Sequence, residues 1–168
     1  MRNQNRNLTR AAIIAALYTV LTHLQNILIP NSASFAVQCR VSEALCVLAL
    51  FTPAAIPGLT VGCLLFNITS AAVLPLDFLL GSLATFLATY AMWRFRNIRF
   101  FGYPLPAMVM PALTNALLVG WELTVYIGGA FALNAFYVAL GELIVMFTFG
   151  SVLYVLFRRR RLGSILFS

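Results

Sequence analysis

Only four acidic residues occur in the 168-residue chain, Glu43, Asp77, Glu122 and Glu142, and each stands inside or at the edge of an apolar run. Arg40, three residues before Glu43, is the one arginine close to any of them in sequence. Glu142 lies eleven residues into the apolar run 131–157, roughly 16 Å along a helix axis. An ionised carboxylate at that depth in a bilayer is costly unless it has a partner or faces a wet cavity. Its surroundings suit a cavity. Asn134, Tyr137, Val138, Gly141 and Glu142 form a stripe at helical spacing, and Asn115, Val119, Glu122 and Tyr126 form another, with Trp121 beside them. Carboxylates, amides and aromatic rings converging on one space would hold a flat, hydrogen-bonding ring.

Simpler roles compete for several of these residues. Arg40 and Glu43 are three apart on a helix and can pair with each other. Asp77 follows Pro75 where a helix N-cap is wanted. Glu122 lies close enough to the end of its run to reach water.

The elements that must position these groups are set by composition. Hydrophobic residues make up 62% of the chain, charged residues 9%, and the mean hydropathy is +0.94. A soluble fold of this length exposes too much surface to bury so much apolar material, so lipid must surround most of it. Apolar runs cover residues 11–29, 41–52, 54–74, 77–93, 104–127 and 131–157. A spanning helix needs about 20 residues, which leaves room for little besides the membrane part. The expected fold is therefore an all-α integral membrane protein of six transmembrane helices, a single domain over residues 1–168.

The charge is +7, carried by eleven arginines without any lysine. Arg2, Arg6 and Arg10 precede the first run, Arg94, Arg96 and Arg99 lie between the fourth and fifth, and Arg158 to Arg161 follow the sixth. If all six runs cross, the three clusters fall on one face, as the positive-inside rule requires, and both termini are cytoplasmic. That placement is a topology signal rather than a nucleic-acid footprint, and no nucleic-acid partner is expected. All four carboxylates then occupy the outer half of the membrane, with Arg40 among them. The first run has an arginine-rich start like a signal peptide, but its apolar core is too long for one, and it reads as a retained helix. The polar segment from Asn31 to Gln38 becomes an outer loop, placed to act as a lid.

Small residues mark close helix approaches. Ala11, Ala12, Ala15 and Ala16 give two overlapping small-xxx-small pairs on the first run, and Gly58 and Gly62 give a GxxxG on the third. Cys39, Cys46 and Cys63 show no metal-ligand spacing and read as small hydrophobes. No metal site and no cofactor is expected.

Five segments carry a resemblance to a known family: Gln38-Cys-Arg40-Val-Ser42-Glu43-Ala-Leu, Phe51-Thr-Pro53-Ala-Ala-Ile-Pro57-Gly58, Leu76-Asp77 with Gly81-Ser-Leu-Ala-Thr85, Asn115-Ala-Leu-Leu-Val-Gly120, and Tyr137-Val-Ala-Leu-Gly141-Glu142-Leu. Together they resemble the QueT family along nearly the whole chain. The resemblance implies a substrate-binding (S) component of an energy-coupling factor (ECF) transporter in a bacterial cell membrane. Such a subunit would capture a queuosine precursor, a 7-deazaguanine such as queuine, at the outer face. Its partners would be a transmembrane coupling subunit and two ATPase subunits, with Ala11, Ala12, Ala15 and Ala16 docking on the coupling subunit. The residues expected to bind the substrate are the polar and aromatic ones singled out above: Glu142, Glu122, Asn115, Arg40, Glu43, Asp77, Trp121, Tyr126, Tyr137 and Asn134.

The residues themselves agree on one point. A chain without lysine holds no P-loop, whose lysine reaches the nucleotide phosphates, so ATP-driven transport needs other subunits. Two other classes compete: a stand-alone proton-coupled transporter using Glu142 or Glu122, and an intramembrane enzyme. An enzyme is disfavoured. There is no HExxH or GxSxG, and His23 is the single histidine, so no nucleophile and base can be assembled.

Overall fold

A computed structural model describes residues 2–30, 39–70 and 74–159. The segment from Asn31 to Gln38, and with it the lid expectation, lies outside the described residues, as do Arg160 and Arg161. The described chain is helical except for short connections. Its elements are α1 (Arg2–Leu28), a 3-10 helix (Val41–Leu50), α2 (Ala55–Thr69), α3 (Asp77–Phe95), α4 (Leu105–Tyr126), α5 (Phe131–Val145), a π turn (Met146–Gly150) and α6 (Ser151–Arg159). Every apolar run read from the sequence carries one of these helices, and the last run carries α5, the π turn and α6 without a break.

Four helical stretches are long and apolar enough to cross a membrane: Gln4–Leu28, Asp77–Phe95, Leu105–Tyr126 and Phe131–Arg159. Val41–Leu50 and Ala55–Thr69 are shorter apolar helices. The 3-10 helix rises about 2.0 Å per residue, so its ten residues reach further than an α-helix of equal length would.

That 3-10 helix is the hub of the molecule. It packs against every other helix, whereas α1 to α5 otherwise pack mainly on their sequence neighbours. Seven of its residues are buried, Ser42 to Ala44 and Cys46 to Ala49, so it is buried almost all round, as a central helix must be. Small side chains at Ala44, Cys46 and Ala49 and the tighter winding make it thin. In a 3-10 helix the residues at i and i+3 eclipse, which lines Glu43 above Cys46.

Two close approaches set the packing around this hub. A Cβ on Gly58 would meet the Ala11 carbonyl at 2.7 Å, and one on Gly62 would meet the Ala15 carbonyl at 2.8 Å. The glycine pair of α2 thus receives Ala11 and Ala15 of α1 backbone to backbone. At the other side of the bundle a Cβ on Gly120 would meet the Ala135 Cα at 2.8 Å, bringing α4 against α5. Gly128 and Gly129 join these two helices with φ of +90° and +89°, which L side chains rarely adopt.

The ends of the bundle differ in chemistry. At one end Phe51 lies against Phe157 and Tyr154, and Arg158 donates to the Gly102 carbonyl at 2.9 Å. Arg94 closes α3 at this same end. Arg96 donates to the Trp93 carbonyl at 2.6 Å and stands over the Trp93 ring. The contact of Gly58 with Ala11 brings the start of α1, with Arg6 and Arg10, alongside. The arginine groups separated in sequence therefore collect at one end. The larger apolar cluster, including Val47, Leu59, Met92, Met108, Met146 and Tyr154, fills the bundle next to it. The opposite end holds Gln25 of α1, whose amide donates to the Cys39 carbonyl at 2.6 Å and whose oxygen accepts from the Val41 N–H at 2.8 Å.

Candidate functional site

Between the apolar cluster and the arginine-poor end lies a buried polar group of side chains drawn from the 3-10 helix and the residue before it, α3, α4 and α5. Arg40, Glu43, Asp77, Asn115, Glu122 and Glu142 are all buried. The sequence had placed them in one half of the molecule, and the fold brings them within electrostatic reach of one another: Glu122 feels Asp77 and Arg40, and Glu142 feels Glu43 and Arg40.

Arg40 does not pair with Glu43, which corrects the local i, i+3 pairing. It precedes the 3-10 helix in extended backbone, with φ −78° and ψ 104°, and so points away from the helix that carries Glu43. Its guanidinium instead donates to Asp77 Oδ2 at 2.8 Å, with Cys63 Sγ at 3.9 Å and the Phe66 ring centroid at 5.7 Å. Asp77 is accordingly no helix cap. It is the first residue of α3, and its carboxylate faces inward to the arginine while adding favourably to the helix N-terminal field. The Asn67 amide fixes this corner by donating to the Asp77 carbonyl at 2.8 Å.

Glu43 has partners of its own. The Tyr18 hydroxyl donates to Oε1, and the Cys46 thiol lies 3.1 Å from Oε2. One turn further along α1, Thr22 donates to Ser42 at 2.7 Å. These bonds tie α1 to the first turn of the 3-10 helix.

The opposite wall is less satisfied. Asn115 donates to Glu142 Oε1 at 3.1 Å, leaving Oε2 without a hydrogen-bond partner among the described residues. Glu122 is fully buried at 0% exposure, and neither of its oxygens has a partner. Asp77 Oδ1 and Asn67 Oδ1 are unpartnered as well. A buried acceptor left unmade costs about 1–3 kcal/mol, more when charged. Unpartnered acceptors on Asn67, Asp77, Glu122 and Glu142 therefore make a region that favours a donor-rich guest.

The aromatic residues expected to line this space do not reach it. Trp121, Tyr126 and Tyr137 are 50%, 43% and 37% exposed on the surface of the bundle. Trp and Tyr near helix ends suit the membrane interface, and that position replaces the stacking role for Trp121 and Tyr126. Asn134 is spent on the α4–α5 turn, donating to Thr124 Oγ1 and to the Gly128 carbonyl, both at 3.0 Å. The aromatics that do border the cluster are Phe66 and Tyr18, both fully buried. Sequence reasoning missed them, together with Asn67. A signal was present for Tyr18: Ala11, Ala15, Tyr18 and Thr22 share one helical face, so the small-residue stripe runs straight into two polar side chains.

The alanine stripe divides in the same way. Ala11 and Ala15 are consumed by the Gly58 and Gly62 contact inside the chain, whereas Ala12 and Ala16 are exposed. Of the four, Ala12 and Ala16 are the pair left facing outward.

A bundle with four apolar helices long enough to cross a membrane, closed around a buried polar cluster, is that of a multi-pass membrane protein. The chain belongs to the QueT transporter family, whose sequence model matches residues 8–159. No curated protein and no solved structure matches the chain.

Proposed function

We propose that this transporter is the substrate-binding subunit of an ECF-type importer in a bacterial plasma membrane, and that it captures a 7-deazaguanine at its outer face. The observation that carries the reading is the set of buried, unpartnered acceptors on Asn67, Asp77, Glu122 and Glu142. A 2-amino-4-oxo ring presents adjacent N–H donors along one edge, and a carboxylate accepts both. Glu142 serves that edge, Asn115 or Arg40 serves the ring oxygen, and Phe66 offers an apolar face. The chain acts as one unit with six crossings and both termini in the cytoplasm, because this arrangement puts the arginine-rich end inside.

The remaining parts of the machine lie on other chains. Without a lysine for a P-loop, ATP hydrolysis falls to two ATPase subunits. A transmembrane coupling subunit would meet the exposed Ala12 and Ala16. The segment from Asn31 to Gln38 would close over the ligand.

Equilibrium binding of 7-deazaguanines to the purified protein tests the proposal. Saturable binding is expected; absence of binding to any member of the class overturns it. A second reading draws on the same unpartnered Glu122 and Glu142, which suit a proton carrier in a secondary transporter. Uptake by the chain alone in proteoliposomes, driven by a proton gradient without ATPase subunits, would establish that reading instead.

A further inference from the structure

Within the polar cluster the two carboxyl groups of the α4–α5 wall are not equivalent. Glu142 is half satisfied by the Asn115 amide. Glu122 keeps both oxygens unpartnered at 0% exposure. Its neighbourhood does not supply the missing charge: the nearby guanidinium of Arg40 is directed to Asp77 and Cys63, and Asp77 adds a further negative group. Four carboxyl groups and a single guanidinium make up the buried charged residues here. A buried cluster of this balance favours positive charge as well as N–H donors.

The separation of the two groups says where that charge must sit. Asn115 and Glu122 are both buried on α4, seven residues apart, hence roughly 10 Å along the helix axis. Because Glu142 is held at Asn115, the two carboxyl groups are set about 10 Å apart along α4. A 7-deazaguanine carries its paired N–H donors on the pyrimidine edge and its 7-substituent on the far edge. With the donor edge at Glu142, the 7-substituent is directed toward Glu122.

We infer that Glu122 is a specificity-determining residue that recognises an ammonium group on the 7-substituent, so that the transporter selects cationic 7-deazaguanines over neutral ones. An ammonium brings up to three donors and fills both oxygens of Glu122 at once. A neutral nitrile at the same position brings none and leaves the carboxylate buried without a partner. The inference rests on the 7-deazaguanine reading and adds to it a division of labour between the two acids.

The test measures binding of two probes to the purified full-length protein: 7-aminomethyl-7-deazaguanine and 7-cyano-7-deazaguanine. The parent protein is expected to bind the amine at least about tenfold more tightly, the scale of one charge-assisted bond. Glu122→Gln should remove most of that preference through loss of amine affinity while leaving nitrile affinity near the parent value. Glu142→Gln should weaken both probes alike. Equal affinity of the parent for amine and nitrile overturns the inference and leaves the 7-deazaguanine reading standing. Failure of both probes, and of queuine, to bind overturns the two together. The parent's amine-to-nitrile ratio needs no variant, so it decides the matter even where Glu122→Gln does not fold. A folded Glu122→Gln protein that keeps the full preference overturns the role of Glu122.

Discussion

At the scale of single residues, the cluster contains two kinds of polar contact with different expected sensitivities. Tyr18 is paired with Glu43 Oε1 and Arg40 with Asp77 Oδ2 inside the protein, so removing one partner leaves the other buried and unpaired. Tyr18→Phe should therefore lower stability by about 1–3 kcal/mol, read as a fall in melting temperature of the detergent-purified protein with ligand absent. No change would mean that Glu43 finds another donor. Glu142→Gln belongs to the other kind. It exchanges an acceptor for a donor where a ligand N–H should sit, and affinity for 7-deazaguanines should fall roughly ten- to a hundredfold while melting changes little. Affinity equal to the parent would remove Glu142 from the site. The charged members of this cluster and Asn115 were legible in the sequence because a charged or amide group in an apolar run is conspicuous, although Asn67 was missed. The aromatic members were not. In lipid the outward face of a helix is as apolar as its inward face, so periodicity does not tell Phe66 and Tyr18, which turn in, from Trp121 and Tyr137, which turn out.

At the scale of elements, the positions of the helices were legible because bilayer crossing writes them as long apolar runs, but their winding was not. Nothing in Val-Ser-Glu-Ala-Leu-Cys-Val-Leu-Ala-Leu separates 3-10 from α; the choice follows from packing of Val41–Leu50 against every neighbour. The π turn at Met146–Gly150 likewise appears where Gly150 lies against Val47 and Met108. The two faces of α1 give a sharper prediction. Ala15 is buried against Gly62, whereas Ala16 is exposed beside it in sequence. Ala15→Leu should disrupt the α1–α2 contact and lower stability by about 1–3 kcal/mol or more, as overpacking does. Ala16→Leu should leave melting and ligand affinity near the parent values yet abolish co-purification with the coupling subunit and ATP-dependent uptake. Unimpaired co-purification and uptake with Ala16→Leu would move the docking surface elsewhere.

At the scale of the whole molecule, the distribution of charge fixes an orientation that can be measured directly. The arginine groups near Ala11, at the end of α3 and at the end of α6 meet at one end of the bundle, while the carboxylates of α3, α4, α5 and the 3-10 helix meet in the half away from it. Under the proposed topology arginine stays on the cytoplasmic side, so the acceptor-rich half would face outward and admit the substrate. Asn97, in the connection after α3, and Ala130, just before α5, are both exposed and sit at opposite ends of this axis. Cysteine placed at each reports its side of the membrane. Cys39 is partly accessible and has to be replaced by serine first, while Cys46 and Cys63 are buried. In intact cells a membrane-impermeant thiol reagent should label Ala130→Cys and spare Asn97→Cys until the membrane is permeabilised. The short Val41–Leu50 and Ala55–Thr69 helices must both cross for the arginines of α1 to share a side with those after α3. If they do, a reporter fused before Arg2 will be protected in intact cells just as Asn97→Cys is. Labelling of Asn97→Cys from outside, or exposure of the amino-terminal reporter, would break the six-crossing topology and reverse the side from which the cluster is loaded.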